Sequence, residues 1–270
     1  VLAAATKAPA FSAATAPRRL PVFDAHLHII DRRFPLVPNR GYLPRPFTCE
    51  DYRRRMKSCD LRGGAVVSGS FQGLDSRFLV SALETLGPAF VGVAHLPATV
   101  SAAEVLEMDR AGVRAVRFNL VRGAASDLRD LERLAHRVHE IAGWHVEVYA
   151  APDMLIDLYS RLAALPAVSI DHLGLGRNGF ATLLRLVARG VRVKASGFGR
   201  VDFDIGEALR ALYSANPEGL MFGTDLPSTR APRVYSHADL GLVLEALGDT
   251  AARQVLYDNA VAFYRPRGHL

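Results

Sequence analysis

The sequence predicts a (β/α)8 barrel, the TIM-barrel architecture, with an active site at the C-terminal mouth of its strands. Three observations predict it. Short apolar, β-branched runs recur eight times along the chain. Amphipathic helix-like stretches separate them, and chemically able polar residues stand at the end of strand after strand.

The first run, Leu20–Ala25, leads into His26 and His28. Gly64–Ser68 leads to Ser70, and Ala89–Ala94 follows. Arg114–Phe118 carries Arg117 and precedes Asn119, and Trp144–Tyr149 ends on Tyr149. Ala167–Asp171 is followed by His172, Val191–Ala195 by Ser196, and Leu220–Gly223 by Asp225 two residues on. Between runs, Ser126–Ala142 repeats Leu128, Leu131, Leu134, Ala135, Val138 and Ile141 at helical spacing behind a Ser126 cap. Asn178–Arg189 places Leu183, Leu184 and Val187 on one face. Such alternation argues for a parallel sheet. An open doubly wound sheet is the runner-up, and the ring of polar strand ends favours closure, because a barrel brings them all to one axis.

Asp31–Phe47 holds Pro35, Pro38, Pro44 and Pro46, too many for a helix or strand, and is expected to lie over the mouth as a lid. Residues 1–20, Ala-rich with Pro9 and Pro17, lack the charged start and apolar run of a secretory signal and read as a flexible leader. Residues 21–270 read as one barrel domain, since neither a repeat nor a linker divides them.

At 270 residues, half hydrophobic and 22% charged, the chain has the composition of one large core rather than of a disordered segment. Lys and Arg total 33 against 27 Asp and Glu, a net charge of +6, and only Lys7, Lys57 and Lys194 are lysines. Arginine's planar fork suits carboxylates, so the expected partner is a small anionic carboxylated molecule. The Arg53–Arg55 cluster has no interleaved aromatics and reads as a solvated helix face, so no nucleic-acid partner is expected. No apolar run is long enough to span a membrane. Cys49 and Cys59 read as lying on one helix about 15 Å apart, too far for a disulfide, which suits the reducing cytoplasm.

The sharpest local feature is Asp24-Ala-His26-Leu-His28, where strand alternation sends both imidazoles to one side. A strand-end His or Asp alone is usually a satisfied cap. In a closed barrel, His26, His28, His172 and Asp225 point at one axis, a set able to hold a divalent metal or to activate water over a carbonyl. Arg117 is costly to bury unpaired, so it reaches a carboxylate such as Asp24 or Asp171, or binds an anionic ligand. Tyr149 is either a ligand contact or an amphipathic strand terminus. Gly174-Leu-Gly176-Arg-Asn-Gly179 matches a dinucleotide fingerprint, but Lys194 and Ser196 stand where an acidic residue is needed. Its glycines read as a tight turn after His172.

The ordered set DAHLHI, RFNLV, DHLG and FGTDLP, together with PNRGYLP and GLDSRFLVSALETLG, resembles the amidohydrolase superfamily. It is most similar to the lactone-opening branch around 2-pyrone-4,6-dicarboxylate lactonase, from about Pro21 onward. The resemblance implies a hydrolase in which Asp225 is the general base, with His26, His28 and His172 around the scissile carbonyl. Arg117 and Tyr149 match its substrate-side motif, and Tyr42, Ser70, Arg177 and Arg200 are further substrate-side candidates. A second Arg after RFN is met here by Arg122. Binuclear relatives carry a His at the end of strand five, where Tyr149 stands, and their strand-four bridging ligand has no counterpart. The expectation is therefore catalysis with no cofactor, or with one divalent ion, zinc or manganese, at His26, His28 and Asp225. Competing readings are a metal-dependent amidohydrolase or decarboxylase on another anionic substrate, and a non-catalytic binding barrel.

Overall fold

Eight parallel strands succeed one another around a barrel in chain order: β1 Pro21–Leu27, β2 Asp60–Val67, β3 Phe90–Ala94, β4 Val113–Asn119, β5 His145–Tyr149, β6 Val168–Ile170, β7 Arg192–Ala195 and β8 Leu220–Phe222. This computed structural model describes residues 20–122 and 125–268, without the side chains of 125–129. The leader expected over residues 1–20 therefore lies, apart from Leu20, outside the described residues. Closure comes where β8 meets β1. The Asp225 amide donates to the His26 carbonyl and the His28 amide to the Leu226 carbonyl, each at 2.7 Å.

The helices are α1 Cys49–Met56, α2 Arg77–Leu86, α3 Ala102–Ala111, α4 Ala125–Ala142, α5 Pro152–Asp157, α6 Tyr159–Ala164, α7 Phe180–Ala188, α8 Ile205–Ala215, α9 Ala238–Arg253 and α10 Asn259–Tyr264. Thr48 starts α1 and Ser101 starts α3 with reciprocal capping boxes through Asp51 and Glu104. The helix expected from Ser126 starts at Ala125, and the Ser126 side chain lies outside the described part. A short 3-10 turn over Arg177–Gly179 takes the place of the first residues expected in α7. One expectation fails: Cys59 sits beyond α1, just before β2, so the two cysteines do not share a helix, and neither is in a disulfide among the described residues.

The outward strand faces, including Val66, Val116, Val148, Ile170 and Val193, are fully buried against helical residues such as Leu79, Leu131, Leu183 and Leu209. Each such Leu or Val contributes about 1.5–3 kcal/mol over exposure. The lower barrel interior holds Phe23, Ala25, Ala65, Val67, Val91, Val93, Ala115 and Met221, with Tyr264 of α10 packed among them. The Tyr264 hydroxyl donates to the Glu147 carboxylate and lies 3.2 Å from the Ala25 carbonyl. A polar layer of Glu147, Asp171 and Lys194 thus rests on this apolar floor, immediately beneath the mouth.

The proline-rich segment 31–47 crosses that mouth. An antiparallel bridge joins Ile30 to Phe47, the Val37 amide donates to the Phe71 carbonyl, and the Arg40 guanidinium donates to the Val121 carbonyl. Among the described residues, no helix is long and apolar enough to cross a membrane.

Candidate active site

The β1 register slips between Asp24 and Leu27, and the slip separates three polar residues that simple alternation would group. Asp24 accepts hydrogen bonds from the Thr224 amide and hydroxyl, at 2.8 and 2.6 Å, and from the Tyr52 hydroxyl of α1 at 3.0 Å. It ties β1 to β8 and α1. His26 and His28 instead reach the mouth.

There the imidazoles surround one atom. Nε2 of His26, His28 and His172 lies 4.0, 3.9 and 3.9 Å respectively from Asp225 Oδ1. That oxygen is buried and has no hydrogen-bond partner among the described residues. Its sister Oδ2 accepts from Arg200 Nε at 2.7 Å, and Arg200 is braced by the Thr229 carbonyl at 2.8 Å. Burial raises the Asp225 carboxyl to about 6, with Arg200 pulling the other way. Burial likewise lowers His26 to about 4 and holds His28 and His172 well below the ordinary imidazole range, so all three rings are neutral near pH 7.

The opposite ring nitrogens have distinct partners. His28 Nδ1 lies 2.7 Å from the Val67 carbonyl, an acceptor, so it carries the proton and leaves Nε2 bare toward the site. His172 Nδ1 is 2.9 Å from the Ser196 hydroxyl. His26 Nδ1 faces the Lys194 ammonium at 3.2 Å.

Arg117 resolves in favour of Asp171, not Asp24: its guanidinium donates to Asp171 Oδ2 at 2.9 and 3.2 Å and to the Ser68 carbonyl at 2.9 Å. Burial opposes ionisation of Asp171, but His26, Lys194 and Arg117 hold its carboxyl well below the usual range. The Arg117 side chain still borders the cleft, with Arg122, Arg200 and Arg230. Arg122 and Arg230 form no ion pair among the described residues, lying instead over the rings of Tyr149 and Tyr42 at 5.7 and 4.3 Å. Arg230 also holds the crossing segment by donating to the Asn39 carbonyl. Burial lowers the Arg122 pKa, and the cations Arg230, Arg200 and Arg117 lower it further, with Tyr149 opposing.

His28, Tyr42, Ser70, Arg117, Arg122, Tyr149, His172, Arg200 and Asp225 border this single cleft, and His26 lies directly beneath it. Arg177 does not join them. It is exposed, with its amide bonded to Asp202, because the 3-10 turn after His172 carries it outward. Sequence reasoning missed Arg230, whose only local signal was its place five residues after Asp225. It also passed over His95, which borders an adjoining hollow with Ser70, Asn119 and Arg122. The GLGRNG loop makes tight turns, with φ of +72° at Gly174.

His26, His28 and Asp225 form one group of potential metal ligands, and His26, Asp171 and His172 another. Both groups need His26.

The amidohydrolase family profile matches residues 23–265. The chain is 28% identical to a 2-pyrone-4,6-dicarboxylate hydrolase of Comamonas testosteroni, the match covering 90% of each chain. It is 27% identical to a 4-sulfomuconolactone hydrolase of Rhizobium radiobacter, over 90% of this chain and 89% of that one. The solved structure of a putative 2-pyrone-4,6-dicarboxylic acid hydrolase from Pseudomonas putida superposes with a TM-score of 0.75 at 30% identity, covering 91% and 98% of the two chains. With the family profile spanning nearly all of its barrel, the chain belongs to the amidohydrolase family.

Proposed function

We propose that this enzyme opens a lactone carrying two anionic groups by attack of water on the ring carbonyl. The observation that carries this reading is Asp225: one oxygen held by Arg200, the other buried, without a hydrogen-bond partner among the described residues, and ringed by three neutral imidazoles under a cleft where Arg122 and Arg230 form no ion pair among those residues. Asp225 Oδ1 and His28 Nε2, both acceptors and 3.9 Å apart, are spaced to take the two protons of one water at about 2.8 Å each.

In the reaction, Asp225 removes a proton from that water as the oxygen adds to the carbonyl carbon. The carbonyl oxygen gains negative charge and is stabilised by the inward N–H of the His26 imidazole. The tetrahedral intermediate collapses by breaking the ring C–O bond, and the departing oxygen receives the proton from Asp225. The product gains a hydroxyl or enol group and a carboxyl group, which becomes a carboxylate by releasing its proton to solvent. Arg117, Arg122 and Arg230 bind the substrate's anionic groups, with Tyr149, Tyr42 and Ser70 shaping the cleft. The names of the relatives, a dicarboxylate hydrolase and a sulfomuconolactone hydrolase, support such a substrate class. Two cysteines outside any disulfide among the described residues suit a cytoplasmic setting.

A single divalent ion, zinc or manganese, would act as a Lewis acid at the carbonyl. His28 and Asp225 present lone pairs for it, but His26 Nδ1 faces an ammonium and its Nε2 therefore carries the proton. Hydrolytic zinc sites use three protein ligands. The residues as hydrogen-bonded here do not fit the ion, and hydrolysis without a metal is the reading adopted.

The test is a panel of lactones carrying no, one or two carboxylates, including 2-pyrone-4,6-dicarboxylate and muconolactone, followed by ring-opening assays. Dianionic lactones are expected to turn over best. Tight binding of these compounds with no ring opening would instead assign a binding barrel.

A further inference from the structure

Lys194 of β7 is fully buried, as are Glu147, Asp171 and His26 around it. Its ammonium pairs with Glu147 Oε2, lies 3.2 Å from His26 Nδ1, and stands 3.6 Å from Asp171 Oδ1. An ammonium has three donors and no acceptor, so the nitrogen it meets must offer a lone pair. A neutral imidazole with a bare Nδ1 carries its proton on Nε2. His26 Nε2 has no hydrogen-bond partner among the described residues and faces Asp225 Oδ1.

The competing arrangement is an Nδ1–H donating to Asp171 Oδ1, 3.3 Å away. That contact lacks hydrogen-bond geometry, since Asp171 Oδ1 accepts no hydrogen bond among the described residues, and the two Arg117 bonds to Asp171 both go to Oδ2. Donating to Asp171 would also turn an N–H toward the buried ammonium. Lys194 as nothing more than half of an ion pair with Glu147 would leave the close approach to His26 Nδ1 without a purpose.

We propose that Lys194 is a positioning residue that sets the tautomer of His26, locking its proton on Nε2 where the carbonyl oxygen of the substrate develops charge. Two histidines two residues apart then have opposite roles. Val67 makes His28 an inward acceptor for water, and Lys194 makes His26 an inward donor for the oxyanion. The same lock withholds the Nε2 lone pair that a metal ion beside Asp225 would take from His26, whose Nε2 faces Asp225 Oδ1. The kinetic consequence rests on the lactone-hydrolase reading; the tautomer does not.

Protein labelled with 15N-histidine, examined near neutral pH by long-range 1H–15N correlation, reads the tautomer directly. The His26 signals are identified by their loss in His26→Gln. A protonated Nε2 and a bare Nδ1 are expected, and a protonated Nδ1 overturns the proposal. In Lys194→Met, shown to be folded by circular dichroism, the proton is expected to move to Nδ1 and zinc affinity by calorimetry to rise about tenfold or more. A folded variant with unchanged tautomer and zinc affinity overturns it equally. If that variant does not fold, the wild-type spectrum decides. If no lactone is hydrolysed by the wild type, the proposed function fails while the spectrum still judges the tautomer. If one is hydrolysed, folded Lys194→Met should lose kcat with KM little changed.

Discussion

Arg200 Nε lies 2.7 Å from Asp225 Oδ2, and this contact divides the carboxylate into a held oxygen and one that accepts no hydrogen bond among the described residues. Removing the guanidinium should release a buried charge that burial already disfavours. In Arg200→Gln the Asp225 pKa should rise above about 6, because Arg200 is the chief influence lowering it. The proposed base accepts a proton only when ionised, so activity of the wild type should fall as pH drops through about 6, and the acid limb of the variant should lie at higher pH. A pH profile of kcat/KM measures this, and an unmoved limb would separate Arg200 from the base.

Asp225→Asn keeps an oxygen for Arg200 but cannot take a proton from water. Turnover should fall by about 10²- to 10⁴-fold, with ligand affinity nearly unchanged. Titration with a non-hydrolysed carboxylate measures the affinity, and stopped assays measure the rate. A variant turning over at the wild-type rate would remove Asp225 from the base role.

The same substitution has a stability signature of definite sign. The folded Asp225 pKa of about 6 lies above its ordinary value of 3.8, so the folded state holds this proton more tightly than the unfolded one. The resulting stabilisation is full below about pH 4 and is lost as pH rises through 6. Relative to the wild type, Asp225→Asn should therefore gain up to about 3 kcal/mol between pH 4 and pH 7. Urea denaturation at the two pH values checks it, and an equal difference at both would deny the raised pKa.

Arg122 and Arg230 are the cations at the mouth that no carboxylate neutralises among the described residues. A charge-assisted bond contributes about 1.5–3 kcal/mol, or roughly 10- to 100-fold in KM. Arg230→Ala should raise KM by that order for a lactone with two anionic groups and far less for one with a single group. Steady-state kinetics on the matched pair tests this. Equal changes for both would make Arg230 only a latch for the segment that carries Asn39 and Tyr42.

Parallel strands all end at the same rim, so a residue's place at the end of a run was enough to put His28, Arg117, Tyr149, His172 and Asp225 at one cleft. Hydrophobic period and strand-end chemistry are local properties, and the chain order of residues 20–225 displays them directly. Pairing across the barrel is not local. The choice of Asp171 over Asp24 for Arg117 depended on the β1 register slip, which turned Asp24 toward Thr224 and Tyr52. Loop direction likewise carried Arg177 out to solvent and brought Arg230 in over Tyr42. Lys194 read in the sequence only as a residue standing where a dinucleotide site needs an acid. Its approach to His26, 168 positions away in the chain, exists only because barrel closure brings β7 and β1 to either side of β8. Sequence determined which side chains reach the mouth; tertiary structure decided which proton each one holds, because that depends on partners brought together by closure.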